Sequence, residues 1–170
     1  DIVLARGVAW RGAAVWGTEV TVEELRRDYV CAYRCIGASL HTGLGIPGED
    51  AKGVLSAIEL LDITLRSVRP DFTGKHVVVV GGGNVAMDAA RTAKRLGADV
   101  TVVYRRGRDE MPARAEAVHH AEQEGIHFQL LTNPTRILGD ENGWASGVEC
   151  VRMELGEPDA SGRRRPTAVE

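Results

Sequence analysis

Apolar positions between residues 75 and 131 follow strand and helix periods in turn. Apolar runs at residues 76–80, 99–104 and 126–131 predict three buried strands. Helices are predicted over residues 84–96, ended by Gly97, and from Pro112 to Gly125. Because strands that alternate with crossover helices form parallel sheets, the predicted fold class is α/β with a parallel sheet.

The pattern changes after residue 131. Predicted strands at residues 135–138 and 144–155 flank Asn142-Gly143, a pair typical of tight hairpins. An antiparallel β-meander is therefore expected to follow the parallel sheet. The polar residues 156–166 predict a turn, with no further apolar strand after it. We expect residues 46–170 to form one domain that lacks its last strand.

Residues 1–45 are expected to be a fragment of a neighbouring domain and a crossover. The pattern predicts a helix end, a strand at residues 8–10, a helix at 22–27 capped by Thr21, and a strand at 29–36, with no sheet for these strands to join. Residues 37–52 form a connection, followed by a helix that stops before Pro70. Its predicted apolar stripe is Val54, Ile58, Leu61 and Leu65. We expect the chain to be truncated at both ends.

Composition and charge are those of an ordinary globular protein. The chain has 170 residues, 44% apolar and 26% charged, and no apolar run of membrane-spanning length. A net charge of -3 gives no reason to expect nucleic acid as a partner, and the three arginines at 163–165 are expected in a surface turn. The N-terminus lacks the pattern of a secretion signal, so we expect a cytoplasmic protein that does not bind membranes.

The reactive residue types form no recognisable centre. Cys31, Cys35 and Cys150 lack Cys-x-x-Cys and zinc-like spacings, so they are expected to be buried structural thiols. No Ser-His-Asp or paired-carboxylate arrangement is present. We therefore predict no catalytic side chain and no metal site.

A glycine motif carries the strongest chemical signal. Residues 81–86 read Gly-Gly-Gly-Asn-Val-Ala, between an apolar strand and a predicted helix. In such a motif Gly81 makes the tight turn, Gly83 admits a pyrophosphate to the backbone, and Ala86 lets the helix pack closely. This arrangement predicts a Rossmann-like dinucleotide-binding unit. A second glycine pattern at residues 43–48 is rejected because Pro47 leaves no helix to follow it.

The end of the second strand predicts which nucleotide binds. Asp99 has the spacing of a ribose-binding acid, but it opens the strand and so lies ~20 Å from the loop edge. The loop edge carries Arg105, Arg106 and Arg108 instead. Guanidinium groups match the 2′-phosphate of NADP(H), so the sequence favours this cofactor.

Several segments together resemble the small subunit of NADPH-dependent glutamate synthase. The segments are residues 81–88, 103–106, 109–113, 131–134, 137–140 and 153–159. Members of this family have an FAD domain and an inserted NADPH domain, and they pass electrons from NADPH through FAD to iron–sulfur clusters. The resemblance implies that residues 81–85 hold the pyrophosphate, that Arg105 and Arg106 hold the 2′-phosphate, and that Gly37 lies at the crossing between the domains.

The complete set of predicted cofactor-binding residues is Gly81, Gly82, Gly83, Asn84, Val85, Arg105, Arg106, Arg108 and Gly37. Val85 departs from the family, which usually has a threonine there. No FAD-type glycine loop and no cysteine cluster for iron–sulfur is present, so FAD and iron–sulfur clusters are expected only in the full-length protein.

Two functions follow from this sequence. The first is an NADPH-docking domain that presents the nicotinamide to FAD, with the FAD-bearing remainder of the protein as its partner and a glutamate synthase large subunit as a further candidate. On that hypothesis the fragment alone is expected to be inactive. The second is a stand-alone NADP(H)-binding or sensing module without catalysis. A Rossmann methyltransferase is disfavoured because Arg105 stands where an acidic residue should bind ribose.

Overall fold

A computed structural model describes residues 2–35, 37, 42–65, 69–160, 162 and 164–169. The chain divides into two compact units, residues 1–38 and 39–170. The predicted division after residue 45 remains a prediction.

The first unit contains two short helices. Helix α1 spans Ile2–Ala5 and helix α2 spans Val22–Asp28, where the Thr21 hydroxyl accepts from the Glu24 N–H at 3.1 Å. The predicted strands at residues 8–10 and 29–36 are wrong for the residues described, and Ile36 lies outside them. Their apolar side chains face solvent, and Tyr33 is 92% exposed. A strand needs a neighbouring strand to pair with, and the described residues of these segments have none.

The second unit carries the predicted alternation of strands and helices. Its elements are α3 (Ala57–Leu65), β1 (His76–Val80), α4 (Asn84–Arg95), β2 (Asp99–Tyr104), α5 (Ala115–Gln123), β3 (His127–Leu130), β4 (Thr132–Gly139), β5 (Ala145–Pro158) and β6 (Arg164–Ala168). The first three strands form a parallel sheet in the order β1-β2-β3, and the last three form an antiparallel sheet in the order β4-β5-β6. The predicted fold class, a Rossmann-like parallel sheet followed by an antiparallel meander, is confirmed.

The core lies between helices α3, α4 and α5 and one face of the parallel sheet. Helix α4 presents small side chains to the sheet, and these residues allow close packing of the helix on Val100 and Val102, which are fully buried. The buried residues of α4 are Ala86, Met87, Ala89, Ala90 and Ala93. Helix α3 packs against α4 through Leu60.

The predicted apolar stripe of α3 needs correction. Leu60 is its buried residue, whereas Leu65 is 87% exposed and Val54 precedes the helix. The stripe was placed one position out of phase, because residues 54–65 contain enough apolar side chains to fit more than one helical face.

The meander continues further than predicted. Strand β5 extends to Pro158, and β6 pairs with it over residues expected to form a turn. Strand β6 is polar and mostly exposed, so it lacks the alternation by which a strand is recognised. The expected surface turn at residues 163–165 is therefore wrong at Arg164 and Arg165, which lie in β6, while Arg163 lies outside the described residues.

The three cysteines are exposed, so their predicted burial is wrong. Partial burial of the thiol still raises the pKa of Cys150 above its ordinary value. In the part of the chain that the structure describes, no three ligating side chains are grouped so that they could hold a metal ion. Within the same ranges, none of the helices has the length and apolar content of a membrane span.

Candidate functional site

The parallel sheet brings two predicted parts of the site to one edge. Strands β1 and β2 pair in register, with Val80 opposite Val103, and the Gly81 N–H donates to the Val103 carbonyl at 3.0 Å. The glycine loop, residues 81–83, follows β1, and the arginine turn, residues 105–108, follows β2. Because the two strands are parallel neighbours, both segments lie at the carboxyl edge of the sheet.

The three glycines of the loop differ in backbone conformation and in the space around them. Gly81 has a φ of 138°, which side chains rarely adopt. A Cβ on Gly82 would lie 2.8 Å from the nearest ring atom of Tyr104, whose hydroxyl donates to the Glu110 carbonyl at 2.9 Å. A Cβ on Gly83 would meet no atom within 4 Å. Gly83 therefore borders open space, while Gly82 is required by packing within the protein.

Helix α4 begins directly at this open space. The N-cap of α4 is Gly83, which has no side chain to cap the helix. The first turn of α4 carries no acidic residue. The N–H groups of a first helical turn have no partners inside the helix and attract anions. Val85 lies on this turn and is half exposed. The start of α4 can therefore bind a phosphate through its backbone.

The arginine turn contains two uncommitted guanidinium groups. Arg105 is exposed and Arg106 is half buried, and neither side chain has a hydrogen bond or ion pair within the described parts of the chain. The Arg106 Nε is buried and unpaired there. A buried donor without an acceptor costs about 1–3 kcal/mol.

Arg108 is already paired within the protein. Its Nη2 donates to Glu122 Oε2 at 2.8 Å, and its Nη1 contacts Glu122 Oε1. This hydrogen bonding lowers the pKa of Glu122 and raises the pKa of Arg108. Two of its guanidinium N–H groups are thereby used within the protein, and its predicted binding role stays a prediction.

The segment after the arginine turn folds back onto the glycine loop. The Ala113 N–H donates to the Gly82 carbonyl at 3.0 Å, and the Arg114 N–H donates to Asn84 Oδ1 at 2.9 Å. These bonds explain why α5 begins at Ala115 and not at Pro112 as predicted, because they hold the preceding residues in a non-helical conformation. Asn84, predicted to bind cofactor, thus has a partner inside the protein.

Gly37 lies in the first unit and has a φ of 68°. Its predicted place near the nicotinamide remains a prediction.

The rejected glycine pattern at residues 43–48 has an internal role. The Leu44 and Gly45 N–H groups donate to the Glu49 carboxylate, the second at 2.8 Å. Gly48 packs directly against the Ile137 backbone. The backbone donors that a phosphate would need are therefore bound to a carboxylate of the chain itself.

Sequence reasoning missed Tyr104, Arg114 and Glu122 as residues that shape this site. Tyr104 could have been found, because an aromatic residue ending β2 stands beside the middle glycine of the loop in a parallel pair. The bond between Asn84 and Arg114 joins positions 30 residues apart and leaves no local signal.

Known families and proteins resemble this chain in sequence and fold. The model of the family described as pyridine nucleotide-disulphide oxidoreductase matches residues 34–160. The NADP(+)-dependent formate dehydrogenase subunit beta of Moorella thermoacetica is 47% identical over 157 residues, covering 90% of this chain and 22% of that protein. The glutamate synthase (NADPH) small chain of Escherichia coli is 36% identical over 180 aligned residues, covering 99% of this chain and 38% of that protein.

Among solved structures, thioredoxin reductase of Lactococcus lactis matches with a TM-score of 0.52 and 26% identity, covering 76% of this chain and 39% of that one. The chain spans 22% and 38% of the lengths of the two curated relatives above.

Proposed function

Because the chain belongs to the pyridine nucleotide-disulphide oxidoreductase family, we propose that it binds NADP(H) and presents the nicotinamide for hydride transfer to FAD. One observation carries the proposal. The open glycine loop and the uncommitted guanidinium groups of Arg105 and Arg106 lie at the same edge of a parallel sheet. A pyrophosphate and a 2′-phosphate are the two anionic parts of NADP(H), and the edge offers a separate place for each.

The residues present fit this cofactor. The first turn of α4 would hold the pyrophosphate through its backbone N–H groups, in the space beside Gly83 that a Cβ would fill. Arg105 and Arg106 would hold the 2′-phosphate through their guanidinium groups, which have no hydrogen bond or ion pair among the described residues. NADPH supplies the hydride when bound, while the protein provides position and charge.

The proposal extends to a larger protein. Both curated relatives are named for NADP-dependent enzymes, and each is more than twice as long as this chain. We propose that residues 1–45 belong to an FAD-type domain and residues 46–170 to the NADP(H) domain. FAD and iron–sulfur clusters would be held by the remainder of a cytoplasmic protein. Its partner would be a large subunit such as that of glutamate synthase.

Isothermal titration calorimetry with NADPH and NADH tests the nucleotide site. Replacing Arg105 and Arg106 together by alanine should weaken NADPH by about 100-fold, since a charge-assisted hydrogen bond contributes about 1.5–3 kcal/mol. NADH lacks the 2′-phosphate, so its affinity should change by less than about threefold. The control replaces Arg136 and Arg152, two exposed arginines of the antiparallel sheet, and removes the same charge elsewhere.

The outcomes separate the alternatives. Equal losses for both nucleotides in the double variant would refute the 2′-phosphate role, and no heat with either nucleotide in the wild type would refute the site. Bleaching of the flavin absorbance on mixing the full-length protein with NADPH tests hydride transfer. Binding without bleaching would favour the stand-alone binding module.

A further inference from the structure

We infer that Asn84 is a positioning residue that fixes the arginine turn relative to the glycine loop, and thereby sets the preference for NADPH over NADH. This inference rests on the proposed function. It also differs from the role predicted for Asn84 from the sequence, which was direct contact with the cofactor.

The side-chain amide of Asn84 is used across the site. The Arg114 N–H donates to Asn84 Oδ1 at 2.9 Å. Because a backbone N–H can only donate, the oxygen of the amide must face it. Asn84 does not cap its own helix, since Gly83 is the N-cap of α4 and no side chain caps that end. Its side-chain oxygen therefore serves a residue on another segment.

A second bond runs beside the first. The Ala113 N–H donates to the Gly82 carbonyl at 3.0 Å, so residues 113–114 are bonded twice to residues 82–84. This pair of bonds holds the chain on the far side of the arginine turn, and β2 holds the near side. Between them, the Met111 N–H donates to the Arg108 carbonyl at 3.1 Å and closes a tight turn. The guanidinium groups are thus carried on a short segment that is fixed at both ends.

Fixing both ends of the arginine turn affects the binding of one phosphate only, the 2′-phosphate. The pyrophosphate is common to NADPH and NADH, and it would bind at the start of α4 whether or not the arginine turn is in place. The 2′-phosphate is present in NADPH alone and needs Arg105 and Arg106 at a set distance from that helix. Loss of the Asn84 bond should therefore weaken NADPH more than NADH. If Asn84 contacted the pyrophosphate directly, its removal would weaken both nucleotides equally.

The experiment compares three variants of the full chain. Asn84→Ala removes the acceptor. Asn84→Asp keeps an acceptor oxygen and adds a negative charge beside the glycine loop. Asp71→Ala is the matched control. It removes a hydrogen bond of the same kind, which the Thr73 N–H donates to Asp71 Oδ1 at 2.9 Å, and this bond lies at the amino end of the sheet. Calorimetry gives the ratio of the dissociation constants for NADH and NADPH, and hydrogen exchange gives the protection of the Arg114 amide.

Asn84→Ala should lower the NADH-to-NADPH ratio by about fivefold, the equivalent of one neutral hydrogen bond, and should speed exchange of the Arg114 amide by a similar factor. Asn84→Asp should preserve both the ratio and the protection while weakening both nucleotides alike. Asp71→Ala should change neither the ratio nor the Arg114 amide.

Two results would overturn the inference while the wild type still binds NADPH. One is an unchanged ratio in Asn84→Ala with both nucleotides weakened, and the other is unchanged exchange of the Arg114 amide. If the wild type binds neither nucleotide, the proposed function fails and this inference fails with it.

Discussion

A methyl group added at Gly82 and one added at Gly83 should affect different properties of the protein, although the residues are adjacent. At Gly82 the new Cβ would lie 2.8 Å from Cε2 and 2.9 Å from Cδ2 and Cζ of the Tyr104 ring. At Gly83 it would meet nothing within 4 Å, and the φ of -90° there is acceptable for alanine. Gly82→Ala should therefore damage the fold, and Gly83→Ala should damage nucleotide binding.

The magnitude for Gly82→Ala follows from what Tyr104 can do. Tyr104 is only 8% exposed, and its hydroxyl donates to the Glu110 carbonyl. The ring therefore cannot move away without breaking that bond. Overpacking of this kind costs about 1–3 kcal/mol, and the reduced entropy of the unfolded chain returns about 0.4–1 kcal/mol. A net loss of about 1–2 kcal/mol should lower the melting temperature by about 2–8 °C in a chain of this length.

Gly83→Ala should change the melting temperature little, because the lower entropy of the unfolded chain offsets the poorer capping by alanine at the N-cap of α4. Its methyl group would occupy the space proposed for the pyrophosphate, so NADPH should bind at least about tenfold more weakly. Thermal melting by circular dichroism and calorimetry with NADPH measure the two effects. Destabilisation of Gly83→Ala equal to that of Gly82→Ala, or wild-type affinity in Gly83→Ala, would refute the reasoning.

Two further predictions concern charge and thiol chemistry. Arg91 and Arg95 on α4 donate to Glu124 at 2.8 and 2.7 Å, and the Glu124 side chain is 24% exposed, so Glu124→Gln should cost about 1–2 kcal/mol in urea denaturation. Burial alone would raise the pKa of Glu124, but the hydrogen bonds from Arg95 and Arg91 outweigh it and hold the pKa below its ordinary value. A depressed carboxyl pKa stabilises the fold above the pKa of the unfolded chain, so the difference between wild type and variant should vanish as the pH falls well below about 4; a difference that persists there would contradict this. Because burial raises the pKa of Cys150, its alkylation in a variant whose other cysteines are serine should reach half-maximal rate at a higher pH than that of a free thiol, and an equal or lower pH would contradict it.

Much of the parallel unit could be predicted from the sequence. The apolar runs of β1 and β2 are strong local signals, as are the glycines that precede and follow α4. The predicted bounds of both strands agree with the observed ones. The start of α5 could not be found in this way. Pro112 is a favourable first residue of a helix, but the hydrogen bonds that Ala113 and Arg114 donate to Gly82 and Asn84 delay the helix by three residues. Local preference was overridden by contacts distant in sequence.

The candidate site was predictable in its position but not in its internal bonding. Parallel pairing requires that the ends of β1 and β2 meet at one edge, so the glycines and arginines could be placed together from their order in the chain. Nothing in the sequence distinguishes Arg108, which is paired with Glu122, from Arg105, which is not. That distinction depends on how α5 packs beside the turn.

The bonds inside the protein therefore divide the predicted ligands into two groups. Gly82 and Arg108 are committed to Tyr104 and Glu122, and changes there should alter stability or the shape of the edge. Gly83, Arg105 and Arg106 have no such commitments in the described structure, and Arg106 even retains an unpaired buried Nε. Donors without a partner in the protein can bind a phosphate without first breaking an internal bond. The residues left unpaired are accordingly the ones whose loss should change affinity without changing the fold.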